Sequence, residues 1–138
     1  LGELMIFIQD EVKSAMLINE PLKTFVPTIK PQEAKTFYND VLGLTFFGED
    51  SYGLEFDSGG GLLRVITVRE LTPHEFTILG WNVKDIEATI DLLVSRGVSF
   101  QKYDFIDNDR GIWTSPNNSK VAWFKDPDGN VLSVSQMP

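Results

Sequence analysis

The hydrophobic positions of this chain change period twice, in the same order each time. Residues 24–29 alternate and are rich in β-formers, and from Pro31 the spacing switches to that of a helix. Ala34, Phe37, Tyr38, Val41 and Leu42 then follow the i, i+3, i+4, i+7, i+8 rhythm of a buried helix face, and Gly43 stands where such a helix stops. Three short strands are predicted next, over residues 44–48, 52–57 and 62–68, separated by Glu-Asp-Ser and Ser-Gly-Gly-Gly turns. The second round begins with a strand over residues 76–83. Asp85 follows as an N-cap, with a helix stripe of Ile86, Ile90, Leu93 and Val94, and Gly97 as the stop. Strands over residues 98–103, 120–125 and 131–136 complete it, the last two joined by the tight turn Asp126-Pro127-Asp128-Gly129-Asn130.

The two rounds also match residue by residue. Lys30, Glu33, Ala34, Gly43 and Phe46 fall on Lys84, Glu87, Ala88, Gly97 and Phe100 at a constant offset of 54 residues. Asp57, Gly60, Leu63 and Val65 fall on Asp126, Gly129, Leu132 and Val134 at an offset of 69, so the second copy carries 15 extra residues within 102–119. The chain is therefore expected to be an α+β protein of two tandem βαβββ modules, about 22–70 and 74–138, making one domain over 22–138. Residues 1–21 lie outside the repeat. Their loose helical stripe (Leu4, Phe7, Ile8, Glu11, Val12, Ala15, Met16) predicts an amphipathic lead-in, which either packs on the domain or on a second subunit or is upstream sequence before a start at Met5 or Met16.

Alternation along the strands predicts which side chains leave the core. Leu132 and Val134 are assigned to the helix side, as are Leu63 and Val65. Ser133 and Ser135, with Arg64 and Ile66, fall to the opposite, cleft side. The first strand of each module is read the same way, which sends Thr24, Val26, Thr28 and Ile78 to the cleft and Phe25, Leu79 and Trp81 to the helices.

Composition narrows the partners. A net charge of −8 with no basic run disfavours nucleic acid, and no stretch is long and apolar enough for a membrane span. There is no cysteine, which removes thiol chemistry and fits a reducing compartment such as the cytoplasm. The single histidine, His74, sits beside Glu75 in a loop-like stretch and reads as a solvated pair. Asp104, Asp107 and Asp109 lack the spacing of a calcium loop.

Two motifs carry a family resemblance. Phe37-Tyr38-Asn39-Asp40-Val41-Leu42-Gly43-Leu44 resembles the FYxxVLGL helix ending of the glyoxalase, bleomycin-resistance and extradiol-dioxygenase (vicinal oxygen chelate) superfamily, and residues 121–130 resemble its strand followed by DPDGN. The resemblance implies sheets that curve into an open, barrel-like cleft, with a homodimer contributing to the site. In metal-dependent members, donors come from the first and fourth strands of each module. Carried over, those positions are Thr24 (or its neighbour Lys23), Arg64, Ile78 and Ser133, none of them an imidazole, thiolate or carboxylate. No metal and no cofactor are therefore expected.

What remains is a cleft whose candidate lining is Thr24, Val26, Thr28, Arg64, Ile66, Ile78, Trp113, Ser133 and Ser135. Arg64 is either a fixed cation for a carboxylate or phosphate, or the partner of a nearby acidic side chain. Trp113, in the extra segment, either covers a flat ligand or packs on the rim. Glu55 is a general base only if buried. The expectation is metal-independent binding of a small organic molecule. The alternative is a glyoxalase-type lyase or isomerase, or a dioxygenase-like enzyme, working through a displaced metal site or metal-free acid–base chemistry.

Overall fold

The computed structural model describes residues 2–138, apart from the side chains of Phe7 and Lys13. Helix α1 (Gly2–Ala15) and a 3-10 turn (Leu17–Asn19) precede two open four-stranded sheets. The first consists of β1 (Lys23–Thr28), β2 (Thr45–Asp50), β3 (Gly53–Ser58) and β4 (Gly61–Thr67), in spatial order β1-β4-β3-β2. The second contains β5 (Leu79–Asn82), β6 (Trp113–Thr114), β7 (Lys120–Lys125) and β8 (Val131–Gln136), in order β5-β8-β7-β6. In each sheet the first strand runs parallel to the fourth and the other pairs are antiparallel. The crossover helices are α2 (Pro31–Thr36) and α3 (Ile86–Ser95).

Helix α2 opens on Pro31, whose missing N–H falls among donors that have no partner in a first turn. From Phe37 to Val41 the coil widens: Leu42 N donates to Phe37 O at 2.9 Å, a five-residue step, before Gly43 turns the chain at φ +78°. The widening lets neighbouring rings Phe37 and Tyr38 point to different layers. Tyr38 meets Phe56 of the first sheet at 5.8 Å between centroids, and Phe37 meets Phe124 of the second at 6.5 Å. The helix is thus held between the sheets. Helix α3 begins at Asp85, which accepts from Ala88 N at 3.1 Å, and buries Ile86, Ile90 and Leu93. Val94, expected on that stripe, is exposed.

The helix-side faces of both sheets feed one core, which includes Val26, Phe56, Leu63 and Val65 from module one and Ala122, Phe124, Leu132 and Val134 from module two. The opposite faces of the two sheets lie outside that core. Two strand predictions are corrected. Residues 76–83 form a strand only over Leu79–Asn82, flanked by bonds to β8 from Ile78 N (2.9 Å) and Val83 N (2.7 Å). Residues 98–103 are not a strand: a single bond from Gln101 N to Trp123 O (2.8 Å) ties them to β7, and the pairing resumes at Trp113–Thr114. The extra segment of module two splits the strand that module one keeps whole as β2.

The modules are joined by the turn after β7. Asp126, 6% exposed, is its hub. Its Oδ1 accepts from the backbone N–H of Asp128 (3.0 Å) and Asn130 (2.9 Å), and its Oδ2 from Tyr38 Oη (2.7 Å) and Asn130 Nδ2 (2.9 Å). Asn130 Nδ2 also donates to Pro27 O at 2.9 Å, while Asp128 accepts from the Thr28 hydroxyl and from Ile29 N (2.9 Å). Burial pushes the Asp126 carboxyl above its ordinary range, against the pull of Asn130 and Tyr38, and holds the Tyr38 phenol neutral.

Removing the Tyr38 hydroxyl takes one donor from a buried carboxylate. Tyr38→Phe is expected to lower stability by about 1.5–3 kcal/mol near neutral pH. A folded-state pKa that is raised means the folded protein holds the proton more tightly than the unfolded chain, so protonating Asp126 favours folding. The deficit should therefore shrink as pH falls from that raised value toward about 4, the ordinary Asp pKa. Urea unfolding of both proteins across this range checks it, and a pH-independent deficit would contradict the assignment.

Candidate functional site

The parallel register of β1 on β4 pairs Lys23 with Leu62, Thr24 with Leu63, Phe25 with Arg64 and Val26 with Val65. Paired residues share a face, so the open face of β1 is Lys23, Phe25 and Pro27. This corrects the assignment of Thr24, Val26 and Thr28 to the cleft. Val26 and Thr28 are fully buried on the helix side, Val26 in the core and Thr28 under Asp128. Thr24 lines a separate groove of about 370 Å³ between the modules, with Ser58, Leu63 and Trp81. The phase was ambiguous because β1 is apolar on both sides, with Phe25 and Pro27 alternating with Val26.

Arg64 and Ile66 stand on the open face of the first sheet, both half-buried. The Arg64 guanidinium is already engaged: Nη1 donates to Glu55 Oε1 at 2.8 Å, and Nη2 to both oxygens of Asp50 at 2.9 Å. The Arg64 hydrogen bonds hold the Asp50 carboxyl below its ordinary range, with help from the N–H groups of Tyr52 and Gly53, and Asp50 in turn raises the guanidinium. Of the two readings of Arg64, the structure gives the ion pair, and an arginine shared by two carboxylates offers little to an incoming anion. Around it lie Phe25 and Phe47, 56% and 54% exposed, and Lys23, whose ammonium sits 5.6 Å from the Phe25 ring centre. Phe47, Lys23, Asp57 and Leu62 share one shallow depression.

The open face of the second sheet follows from the pairs Gly80–Ser133, Trp123–Ser133, Val121–Ser135 and Trp113–Val121. It carries Ser133, Ser135, Trp113 and Trp123, with Tyr103 and Phe105 reaching it from the extra segment. Ile78, one residue before β5, is half-buried against the edge of the core. Sequence reading missed Trp123, Tyr103 and Phe105. The signal was present in β7, where Ala122 and Phe124 alternate with Val121, Trp123 and Lys125. Ser133 is 6% exposed, and Gly80 leaves the space over it: a Cβ at Gly80 would lie 2.7 Å from Ser133 Oγ.

Arg64 and Ser133 therefore do not line one cavity within a single chain. They stand on different sheets, with the shared core and α2 between them. The four positions implied for a metal do not fit one. Lys23 and Arg64 are cationic, Ile78 has no donor, and Ser133 offers one neutral hydroxyl. Among the described residues no three His, Asp or Glu side chains converge as a ligand set. His74, which stacks on Phe76 at 4.7 Å, is exposed. No helix among them is long and apolar enough to cross a membrane.

Two sheets of this topology, joined through an Asp-Pro-Asp-Gly-Asn turn, define a protein class. Residues 22–134 match the model of the Glyoxalase/Bleomycin resistance protein/Dioxygenase superfamily, and the chain belongs to that family. Solved structures with the same fold include a Bacillus anthracis protein attributed to the glyoxalase family (TM-score 0.70, 17% identity, covering 88% of this chain and 97% of that one). A glyoxalase/bleomycin resistance protein/dioxygenase from Alicyclobacillus acidocaldarius is similar at TM-score 0.65 and 20% identity, covering 86% and 92%. Lactoylglutathione lyase from Agrobacterium tumefaciens is similar at TM-score 0.61 and 18% identity, covering 86% and 93%. At these identities the likeness shows the fold alone. No curated protein matches the chain by sequence.

The Arg64 cluster makes a directional claim about pH. A depressed folded-state pKa means that the ionised Asp50 stabilises the fold above about 4, its ordinary value, and that this is lost as pH falls through the folded value. Asp50→Asn should unfold at lower urea than the parent at pH 7, and the two midpoints should converge in acid. Midpoints that stay equally separated below pH 3 would rule the pairing out.

Proposed function

We propose that this chain is a metal-independent binding protein for a small organic molecule, working as a homodimer. The observation that carries this reading is the chemistry of the four family positions: Lys23 beside Thr24, an arginine closed by Asp50 and Glu55, Ile78 and Ser133. A divalent ion with two open coordination places, the basis of the family's enzymes, has nothing to hold it there. The cleft keeps aromatic and hydroxyl groups, which bind without reacting.

The dimer reading rests on the open faces. Each presents large apolar side chains to solvent in the single chain, Phe25 and Phe47 on one sheet and Phe105 on the other. A two-fold arrangement sets the first sheet of one copy against the second sheet of its partner, and the same contact is made twice. A cleft then forms between Arg64 of one copy and Ser133 of the other. With its charge of −8 and no cysteine, the chain suits the cytoplasm and avoids nucleic acid and anionic lipid.

The test is elemental analysis of purified protein together with its molar mass in solution and native mass spectrometry. The expected result is a dimer with substoichiometric metal that retains a co-purifying organic molecule or binds one saturably. Stoichiometric metal, or turnover switched on by Zn²⁺, Ni²⁺, Mn²⁺ or Fe²⁺, would replace the binder with an enzyme of the lyase or dioxygenase type. A monomer at micromolar concentration would remove the shared cleft.

A further inference from the structure

The duplicated design gives the two modules matching turns, and only one of them is filled. Between β7 and β8 the side chains of Asp126, Asp128 and Asn130 reach Tyr38, Thr28 and Pro27 and seal the junction with module one. The corresponding turn of module one, between β3 and β4, is Gly59-Gly60, and the 69-residue offset puts Gly61 at the place of Asn130. φ is +56° at Gly59 and +84° at Gly60, and a Cβ at either would meet nothing within 4 Å. These glycines put no side chain into the junction with module two. The bond that crosses it runs from Trp81 Nε1 to Ser58 Oγ, at 2.8 Å.

Space is left on both sides of that bond. One side is the groove of about 370 Å³ that holds Thr24, Gly59 and Gly60. The other is a recess of about 240 Å³ between Leu42 and Leu44 of module one and Val83, Leu93, Phe124 and Val134 of module two. Ser58 and Trp81 line both. Leu42, Leu44 and Val83 are only half-buried although they adjoin the core. Protein interiors are close-packed, and an apolar recess takes up apolar guests in preference to water. Donors stand at the groove end. Ser58 accepts from Trp81 and keeps its own hydroxyl proton, and the N–H groups of Gly59 and Gly60 have no acceptor among the described residues.

We propose that this unsealed junction is a second binding site, for a linear aliphatic chain with an uncharged, hydrogen-bond-accepting head such as a ketone or ester. The chain occupies the recess at Leu44, Val83 and Phe124, and the head meets Ser58 and the glycine turn. A thin body is required because both spaces open past the same Trp81–Ser58 pair. No charged side chain lines either space, in a protein of net charge −8. A carboxylate head would lose its water there with no cation to offset the loss. The site goes beyond the reading above, since it lies between the modules of one chain and needs neither an open face nor a dimer.

The test titrates the full chain with 2-hexanone, 2-octanone, 2-decanone and octanoate, by calorimetry and by the indole N–H resonances of the three tryptophans. The expected result is saturable binding of the ketones that tightens about fourfold per methylene, the value of one buried CH₂. Octanoate should bind about tenfold more weakly than 2-octanone. Trp81 should shift while Trp113 and Trp123 do not. Ser58→Ala should weaken every ketone about fivefold, the loss of one hydrogen bond, and leave the increment per methylene unchanged. Val83→Phe fills the recess and should abolish that increment. Its unfolding midpoint verifies its fold, and the chain-length series and the Trp81 resonance are read on the unaltered protein. Affinity independent of chain length, octanoate as tight as 2-octanone, a shift at Trp113 or Trp123 in place of Trp81, or no saturable binding overturns the proposal. None of these outcomes touches the metal content or molar mass that test the reading above.

Discussion

One buried carboxylate organises this molecule. Asp126 accepts four hydrogen bonds, two from its own turn and one from Asn130 within that turn, and the fourth from Tyr38 of the other module. An ionisable group so enclosed is costly unless every lone pair is met, and meeting them requires both modules in register. Asn130 and Asp128 add bonds to Pro27, Thr28 and Ile29, where β1 hands over to α2. The turn fixes the end of one strand and the start of the helix after it. That helix carries Phe37 and Tyr38 into opposite layers.

The placement of the open faces follows. Because α2 is held between the sheets, the face of each sheet away from the helices is left outside the core. These faces differ in chemistry although the modules share a design. Module one uses Asp50 and Glu55 to close Arg64 into a clamp with two exposed phenylalanines nearby. Module two, through its extra segment, brings Tyr103 and Phe105 against Trp113 and Trp123. A duplicated scaffold has thus been given one polar, charge-compensated surface and one aromatic surface.

The same contrast bears on chemistry. In metal-dependent members of the family a divalent ion draws its donors from four strand positions, and here those positions are cationic, aliphatic or hydroxylic. Membership of a family rich in enzymes fixes the frame and leaves the activity to such particulars.

Much was legible in the chain alone. The offsets of 54 and 69 residues revealed both modules and the 15-residue gain. Gly43, Asp85 and Gly97 marked helix boundaries, because capping and positive φ are local demands that a sequence must meet on the spot. The phase of β1 was beyond it. A strand apolar on both sides has no preferred face until pairing with β4 chooses one, and that choice buried Val26 and Thr28 and turned Lys23 and Phe25 outward. The partner of Arg64, the gathering of four rings and the reach of Tyr38 to Asp126 were equally hidden. Each joins residues distant in sequence, and only the folded chain brings such groups within bonding distance.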